Sequence, residues 1–153
     1  MSFWTWALDA YARPGAAEAC LDLQEAHHQS VPLLLWAAWA AQQGRPLGFG
    51  DLMDGSSLAA RWDEAAVAPL RAARRALKPP VAGIADEVRG TLREEVKALE
   101  LKAERILMTR LEDLTPAPEG GPVDIEDALN EAAQAWAFIA PKVALARLAQ
   151  TLS

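Results

Sequence analysis

The stretch VPLLLWAAWAA, residues 31–41, is apolar on every side of a helix rather than along one face. A helix that is apolar all round is buried all round, so this segment is predicted to be the central helix of an all-α domain. Ser30 can cap its N-terminus, and Gly44 is expected to end it. These signals predict a buried helix over 31–43, with the other helices packed around it.

Amphipathic segments on both sides of this stretch predict those other helices. Two short helices are expected first, over about 2–12 and 16–29. Residues 44–56 contain four glycines and one proline, which predicts a loop. A further helix is expected from Ser56 or Ser57 to Lys78. Pro69 should kink or split it, because proline removes one backbone hydrogen bond.

The longest helix is expected over about 84–114. Its predicted inward stripe consists of Val88, Leu92, Val96, Leu99, Ala103, Ile106 and Leu107. Residues 115–122, with three prolines and two glycines, predict a linker. The predicted fold is therefore a compact all-α bundle of about six or seven helices. Residues 1–114 would form its core domain, and 123–153 a helical pair that docks on the core or on a second subunit.

Composition and charge exclude several classes of protein. A chain of 153 residues can bury a core without disulfides or metals, and a single cysteine, Cys20, rules out an intrachain disulfide. The net charge of −6 argues against a general attraction to nucleic acid or to anionic membranes. The apolar run 31–41 is shorter than the about 20 residues of a membrane span. Since Asp9 interrupts the apolar N-terminus, no secretory signal is recognised, and a cytoplasmic location is expected.

No set of residues completes a catalytic or metal site, so no catalytic residue and no cofactor are predicted, and an enzyme is not favoured. Glu25 and His28 have the i, i+3 spacing of a metal-binding helix, but the chain has only two histidines. They remain weak metal candidates. Cys20 and His27 share a helix face but are separated by about 10 Å, beyond the reach of a nucleophile and its base.

A basic stripe lies near the end of the helix that is predicted to finish at Lys78. It consists of Arg71, Arg74, Arg75 and Lys78. Two interpretations stay open. The stripe could form ion pairs with the following helix, through Asp86, Glu87 and Glu94. Alternatively, it could dock an acidic or phosphorylated partner protein.

Two further sets of side chains are candidates for contacts. Aromatic residues could line a pocket for a small apolar or acidic ligand: Trp4, Trp6, Tyr11, Trp36 and Trp39. Leu101 and Met108 fall opposite the main stripe of the longest helix, one heptad apart. Either the C-terminal helices cover them or a second subunit does, which makes a homodimer a candidate assembly.

Several motifs together resemble a family of short bacterial proteins described only as a domain of unknown function. They are Phe3-Trp4-x-Trp6-Ala7, Tyr11-Ala12-Arg13-Pro14-Gly15, LLLWAAW at 33–39, Val67-Ala68-Pro69-Leu70-Arg71 and Val96-Lys97-Ala98-Leu99-Glu100. The resemblance covers about residues 2–113. It implies a compact cytoplasmic bacterial protein and supplies no activity, cofactor or catalytic residue.

The sequence therefore favours a non-enzymatic protein that acts through contacts with other proteins, as an adaptor or regulator. A helical protein that binds a small ligand in a tryptophan-lined pocket is the alternative, and an enzyme with an unrecognised site is the third. No nucleic acid and no membrane are expected among its partners. A protein partner, which the basic stripe suggests is acidic, is expected instead.

Overall fold

The computed structural model describes residues 1–153 and contains eight α-helices and no strands. The helices are α1 (Phe3–Tyr11), α2 (Ala16–Glu25), α3 (Val31–Gln42), α4 (Phe49–Trp62), α5 (Ala68–Ala76), α6 (Asp86–Asp113), α7 (Ile125–Ala137) and α8 (Lys142–Leu152). A π-helical turn, Asp63–Val67, makes α4 and α5 continuous, so the chain forms seven separate helical rods. The predicted all-α bundle is confirmed.

Helix α3 is the central helix, as its sequence predicts. All residues from 33 to 41 are buried, and Trp36 and Trp39 are only 0% and 2% exposed. The Ser30 hydroxyl accepts a hydrogen bond from the Leu33 amide, which caps the helix. Helices α1, α2, α4, α6 and α7 all contact α3. None of the helices combines the length and the apolar composition that crossing a membrane requires.

The two C-terminal helices pack on their own chain. Leu145, Leu148 and Leu152 are at most 1% exposed, because α8 lies against α2 and α7, while α7 lies against α3 and α4. The segment that leads to them is tied to the core by the Trp36 indole, which donates a 2.8 Å hydrogen bond to Thr115. One hydrophobic cluster therefore includes residues from both sides of the proline-rich segment 115–122.

Helix α4 begins at Phe49, inside the segment that was expected to be a loop, so that prediction was wrong over 49–56. The Asp51 carboxylate accepts a 2.8 Å hydrogen bond from the Gly48 amide and stabilises the first turn. Gly55 lies inside this helix, and its lack of a side chain makes room for Trp36, since a Cβ atom at this position would overlap the Trp36 indole ring. Glycine marks a close helix contact here rather than a turn.

Helix α5 and the N-terminal part of α6 form an antiparallel hairpin outside the core. No residue of α5 is buried, and the buried residues of α6 begin only at Glu100. The predicted inward stripe of α6 is wrong over most of its length, since four of its members are about half exposed: Val88, Leu92, Leu99 and Ile106. Two members of the predicted stripe, Ala103 and Leu107, are buried as predicted, together with Leu111 one turn further along.

Candidate functional site

An apolar groove of about 390 Å³ lies between α1, α2 and α6, and the N-terminal half of α3 contributes to its wall. Of its 14 lining residues, 11 are hydrophobic. The 14 residues come from α1 and its C-cap (Trp4, Ala7, Leu8, Tyr11, Ala12), α2 (Cys20, Leu21, Gln24), α3 (Val31, Pro32, Leu35) and α6 (Leu101, Glu104, Met108).

Large side chains at the groove are about half exposed. Leu8, Tyr11, Leu21 and Leu101 are exposed by 51%, 46%, 55% and 50%. Helix α1 supplies Leu8 and Tyr11, because it has two apolar faces. One face, with Phe3, Ala7 and Ala10, enters the core, and the i, i+4, i+7 face with Trp4, Leu8 and Tyr11 lines the groove. The groove therefore presents apolar surface to solvent without a partner from the chain.

Glu104 is the one carboxylate in the lining of the groove. Burial raises its pKa, because the charged form loses solvation, and the nearby Glu100 carboxylate raises it further. Arg71 opposes this effect, but its Nη2 atom is 3.8 Å from Glu104 Oε1. Glu104 therefore lies in an apolar wall with a charge that is only partly balanced.

The basic stripe is largely occupied by ion pairs with α6. The Nε atoms of Arg71 and Arg74 lie 3.3 and 2.6 Å from the oxygens of Glu100. The hydrogen bond that Arg74 donates to Glu100 is the main cause that raises the pKa of Arg74. Glu100 is only 8% exposed, and a buried carboxylate requires a cation nearby.

Arg71 and Arg74 of the basic stripe form ion pairs with the following helix, α6. The acidic residues that they contact are not the expected ones. The arginines reach Glu100 and Glu104, which lie closer to the core than Asp86, Glu87 and Glu94. Arg75 instead pairs with Glu25 of α2, and Lys78 lies exposed beyond the end of α5 without an ion pair.

The five aromatic residues proposed for a pocket are not brought together. Only Trp4 and Tyr11 line the groove, and Arg105 stacks over the Trp4 ring at 5.4 Å. The other three, Trp6, Trp36 and Trp39, lie in the core. The Trp6 indole donates to the Gln42 side chain at 2.8 Å, so its polar atom is satisfied there. Tryptophan count alone does not distinguish a core aromatic from a pocket aromatic.

Leu101 and Met108 both contact the groove, but they differ in exposure. Leu101 is half exposed, whereas Met108 is 6% exposed. Leu21 was not singled out from the sequence. Its signal in the sequence is a large apolar residue that lies close to three acidic residues of the same helix, Glu18, Asp22 and Glu25.

The weak metal candidates do not form a site. Helix α2 ends at Glu25, so the i, i+3 spacing to His28 does not lie on a helix, and His28 adopts a left-handed backbone conformation with φ of 53°. Glu25 is hydrogen-bonded to Gln24 and pairs with Arg75. No group of three or more His, Cys, Asp and Glu side chains is arranged to hold a metal ion.

The profile of one protein family, described as a protein of unknown function (DUF2390), matches residues 2–111. The match includes every residue that lines the groove, while α7 and α8 lie outside it. No curated protein and no solved structure matches the chain. The resemblance seen over about residues 2–113 is confirmed as a relation to a family whose function is unknown.

Proposed function

The chain belongs to the DUF2390 family, and we propose that it is an adaptor whose apolar groove binds an amphipathic helix of a partner protein. The observation that carries this proposal is the row of half-exposed side chains, Leu8, Leu21 and Leu101, beside the buried lining residues Ala7 and Met108. Exposed apolar patches of this kind are typical of interaction sites. Helix-in-groove recognition uses such surfaces to bind apolar anchors at i, i+3 or i+4, and i+7.

The dimensions of the groove suit two turns of a helix. Its α1 wall extends from Trp4 to Ala12, about 12 Å at 1.5 Å per residue. An apolar stripe on a partner helix places anchors within that length at positions i, i+4 and i+7. A short amphipathic segment is therefore sufficient to fill it.

The charge of the groove favours a partner helix that carries a lysine or arginine. Glu104 is only partly balanced by Arg71, and its raised pKa reports the unfavourable environment of its charge. A cation from the partner would balance that charge after water leaves the groove. This chemistry points to a basic amphipathic partner, whereas the stripe that suggested an acidic partner is mostly engaged by Glu100 and Glu25.

Selection of displayed helical peptides on the immobilised full chain tests the proposal. We expect the enriched peptides to carry apolar residues at i, i+4 and i+7 together with a lysine or arginine. They should bind the double variant Leu8→Gln/Leu101→Gln at least about tenfold more weakly, which corresponds to 1.4 kcal/mol. Val143→Gln is the matched control, because Val143 is 76% exposed on α8 and lies outside the groove. Peptides that bind both variants equally would overturn the proposal.

A double-mutant cycle tests the role assigned to Glu104. Glu104→Gln should weaken the binding of the selected basic peptide by about tenfold. Replacing the peptide's lysine by methionine should then cause little further loss in the Glu104→Gln variant, because both changes remove the same contact. Independent, additive losses would show that the cation binds elsewhere.

A small apolar ligand is the second candidate occupant. A volume of about 390 Å³ with a mostly hydrophobic lining resembles the sites that bind small molecules. Native mass spectrometry of the purified protein would then show a bound mass that denaturation releases. The bulky substitution Ala12→Trp, at the edge of the groove, should remove it. A bound small molecule without any selected peptide would favour this candidate over the adaptor.

A further inference from the structure

We propose that a second face of α6, defined by Val88, Leu92, Leu99 and Ile106, joins two copies of this chain as an antiparallel, two-fold-symmetric dimer. We call these four residues the dimer stripe. They are exposed by 64%, 49%, 52% and 45%. Helices α7 and α8 do not cover them, because those helices pack against α2, α3 and α4.

The spacing of the dimer stripe is that of a helix–helix seam. Leu92, Leu99 and Ile106 are seven residues apart, and a heptad repeat keeps apolar side chains on one side of a helix. Together they extend over about 21 Å at 1.5 Å per residue. A second helix laid along this line would contact three leucine or isoleucine side chains in succession.

Charges beside the stripe specify a second copy in antiparallel orientation. Glu95 flanks its N-terminal part and Lys102 its C-terminal part, and neither makes an ion pair within the chain. With Leu99 on the two-fold axis, Leu92 faces Ile106 of the second copy. The same register places Glu95 beside Lys102 of the second copy, twice by symmetry. In a parallel pair, each charge would instead face its own equivalent.

The dimer stripe and the groove lie on opposite sides of α6. Leu99 and Leu101 are two residues apart, which corresponds to about 200° around a helix with 3.6 residues per turn. The dimer therefore leaves both grooves exposed. If the proposed function is correct, two grooves per particle would raise the avidity for a partner with two helical segments; the dimer itself does not depend on that function.

Sedimentation of the full chain tests the assembly. We expect a dimer at high micromolar concentration, and we expect Leu99→Glu to make the chain monomeric, because it places two carboxylates next to each other on the axis. Leu101→Glu, the matched control on the groove side, should remain dimeric with the same helicity. A parent chain that stays monomeric at that concentration would overturn the proposal, as would a dimer that Leu99→Glu leaves unchanged.

Charge reversal tests the register. Glu95→Lys and Lys102→Glu should each weaken the dimer by about tenfold, because each places like charges together twice. The double variant Glu95→Lys/Lys102→Glu should regain nearly the parent affinity, since it restores two opposite-charge pairs. A double variant weaker than either single one would overturn the antiparallel register.

Cross-linking provides a readout that does not depend on a disruptive substitution. The native Cys20 is only 2% exposed, so a cysteine introduced at the surface is the one accessible thiol. Leu99→Cys should give a covalent dimer with a short bismaleimide. Lys97→Cys, about 200° away from Leu99 on the helix, is the control and should stay monomeric. Equal cross-linking at both positions would contradict the proposed axis.

Discussion

Helix α3 and the hairpin of α5 and the N-terminal part of α6 both carry large apolar side chains, but only α3 is buried. Residues 33–41 are all inaccessible, while α5 has no buried residue. An all-round apolar helix has no face that is stable in water, so the other helices must surround it. The hairpin has apolar residues on one side and charges on the others, and the core leaves that side exposed. The comparison separates residues that stabilise the chain from residues that are available to partners.

The largest expected effect is the loss of a tryptophan from α3. Trp36→Ala should lower the free energy of unfolding by about 3–5 kcal/mol, because it leaves a cavity and removes the hydrogen bond to Thr115. Leu92→Ala in the hairpin should change the free energy of unfolding by less than about 0.5 kcal/mol, because substitutions at exposed positions usually have small effects. Urea denaturation of both variants at a dilute, monomeric concentration measures the contrast. Equal losses would mean that the hairpin contributes to the core as α3 does.

The second expected effect compares two helical glycines. Gly55→Ala should destabilise the protein by about 1–3 kcal/mol, because the new Cβ atom overlaps the Trp36 ring. Gly90→Ala in the hairpin meets no atom within 4 Å. It should stabilise the protein by about 0.5–1 kcal/mol through helix propensity. Thermal melts of the two variants should therefore shift in opposite directions; a shift in the same direction would contradict the packing assigned to Gly55.

A third prediction concerns the ion pairs where the hairpin joins the core. Arg74→Gln should cost about 1–3 kcal/mol, because it removes a cation from Glu100, which is mostly buried. Arg75→Gln should cost at most about 1 kcal/mol, since its pair with Glu25 is exposed. Chemical denaturation distinguishes the two. If Arg74→Gln has no effect, the stripe is free for a partner rather than committed to the fold.

The smallest expected effect is the pH dependence contributed by Glu104. Its pKa is raised in the folded chain, so the folded state holds the proton more tightly than the unfolded state does. The free energy of unfolding should therefore fall as the pH rises through that raised pKa. Glu104→Gln should remove this fall and leave the protein slightly more stable at neutral pH, with no advantage in acid.

Local pattern was sufficient to predict some elements and misleading for others. The all-round apolar run at 31–41 predicted α3 and its cap at Ser30 correctly. The four glycines of 44–56 predicted a loop, but α4 begins at Phe49, and Gly55 lies within it at a point where Trp36 leaves no room for a side chain. Such a contact joins positions that are distant in sequence, so no local pattern reveals it. The same limit applies to Arg74, for which the nearest acids in sequence were expected and Glu100 was found.

The sequence by itself determined the helical class, the central position of α3 and the presence of a basic stripe, because periodicity and capping act within a few residues. Only the tertiary structure decided which apolar faces are covered. Leu8 and Leu101 line a groove, and Leu99 stays exposed, because no other helix packs over them. Leu145 and Leu148 are buried because α2 and α7 pack against α8. Burial depends on the surface that distant segments offer, and that information is absent from any single stretch of the chain.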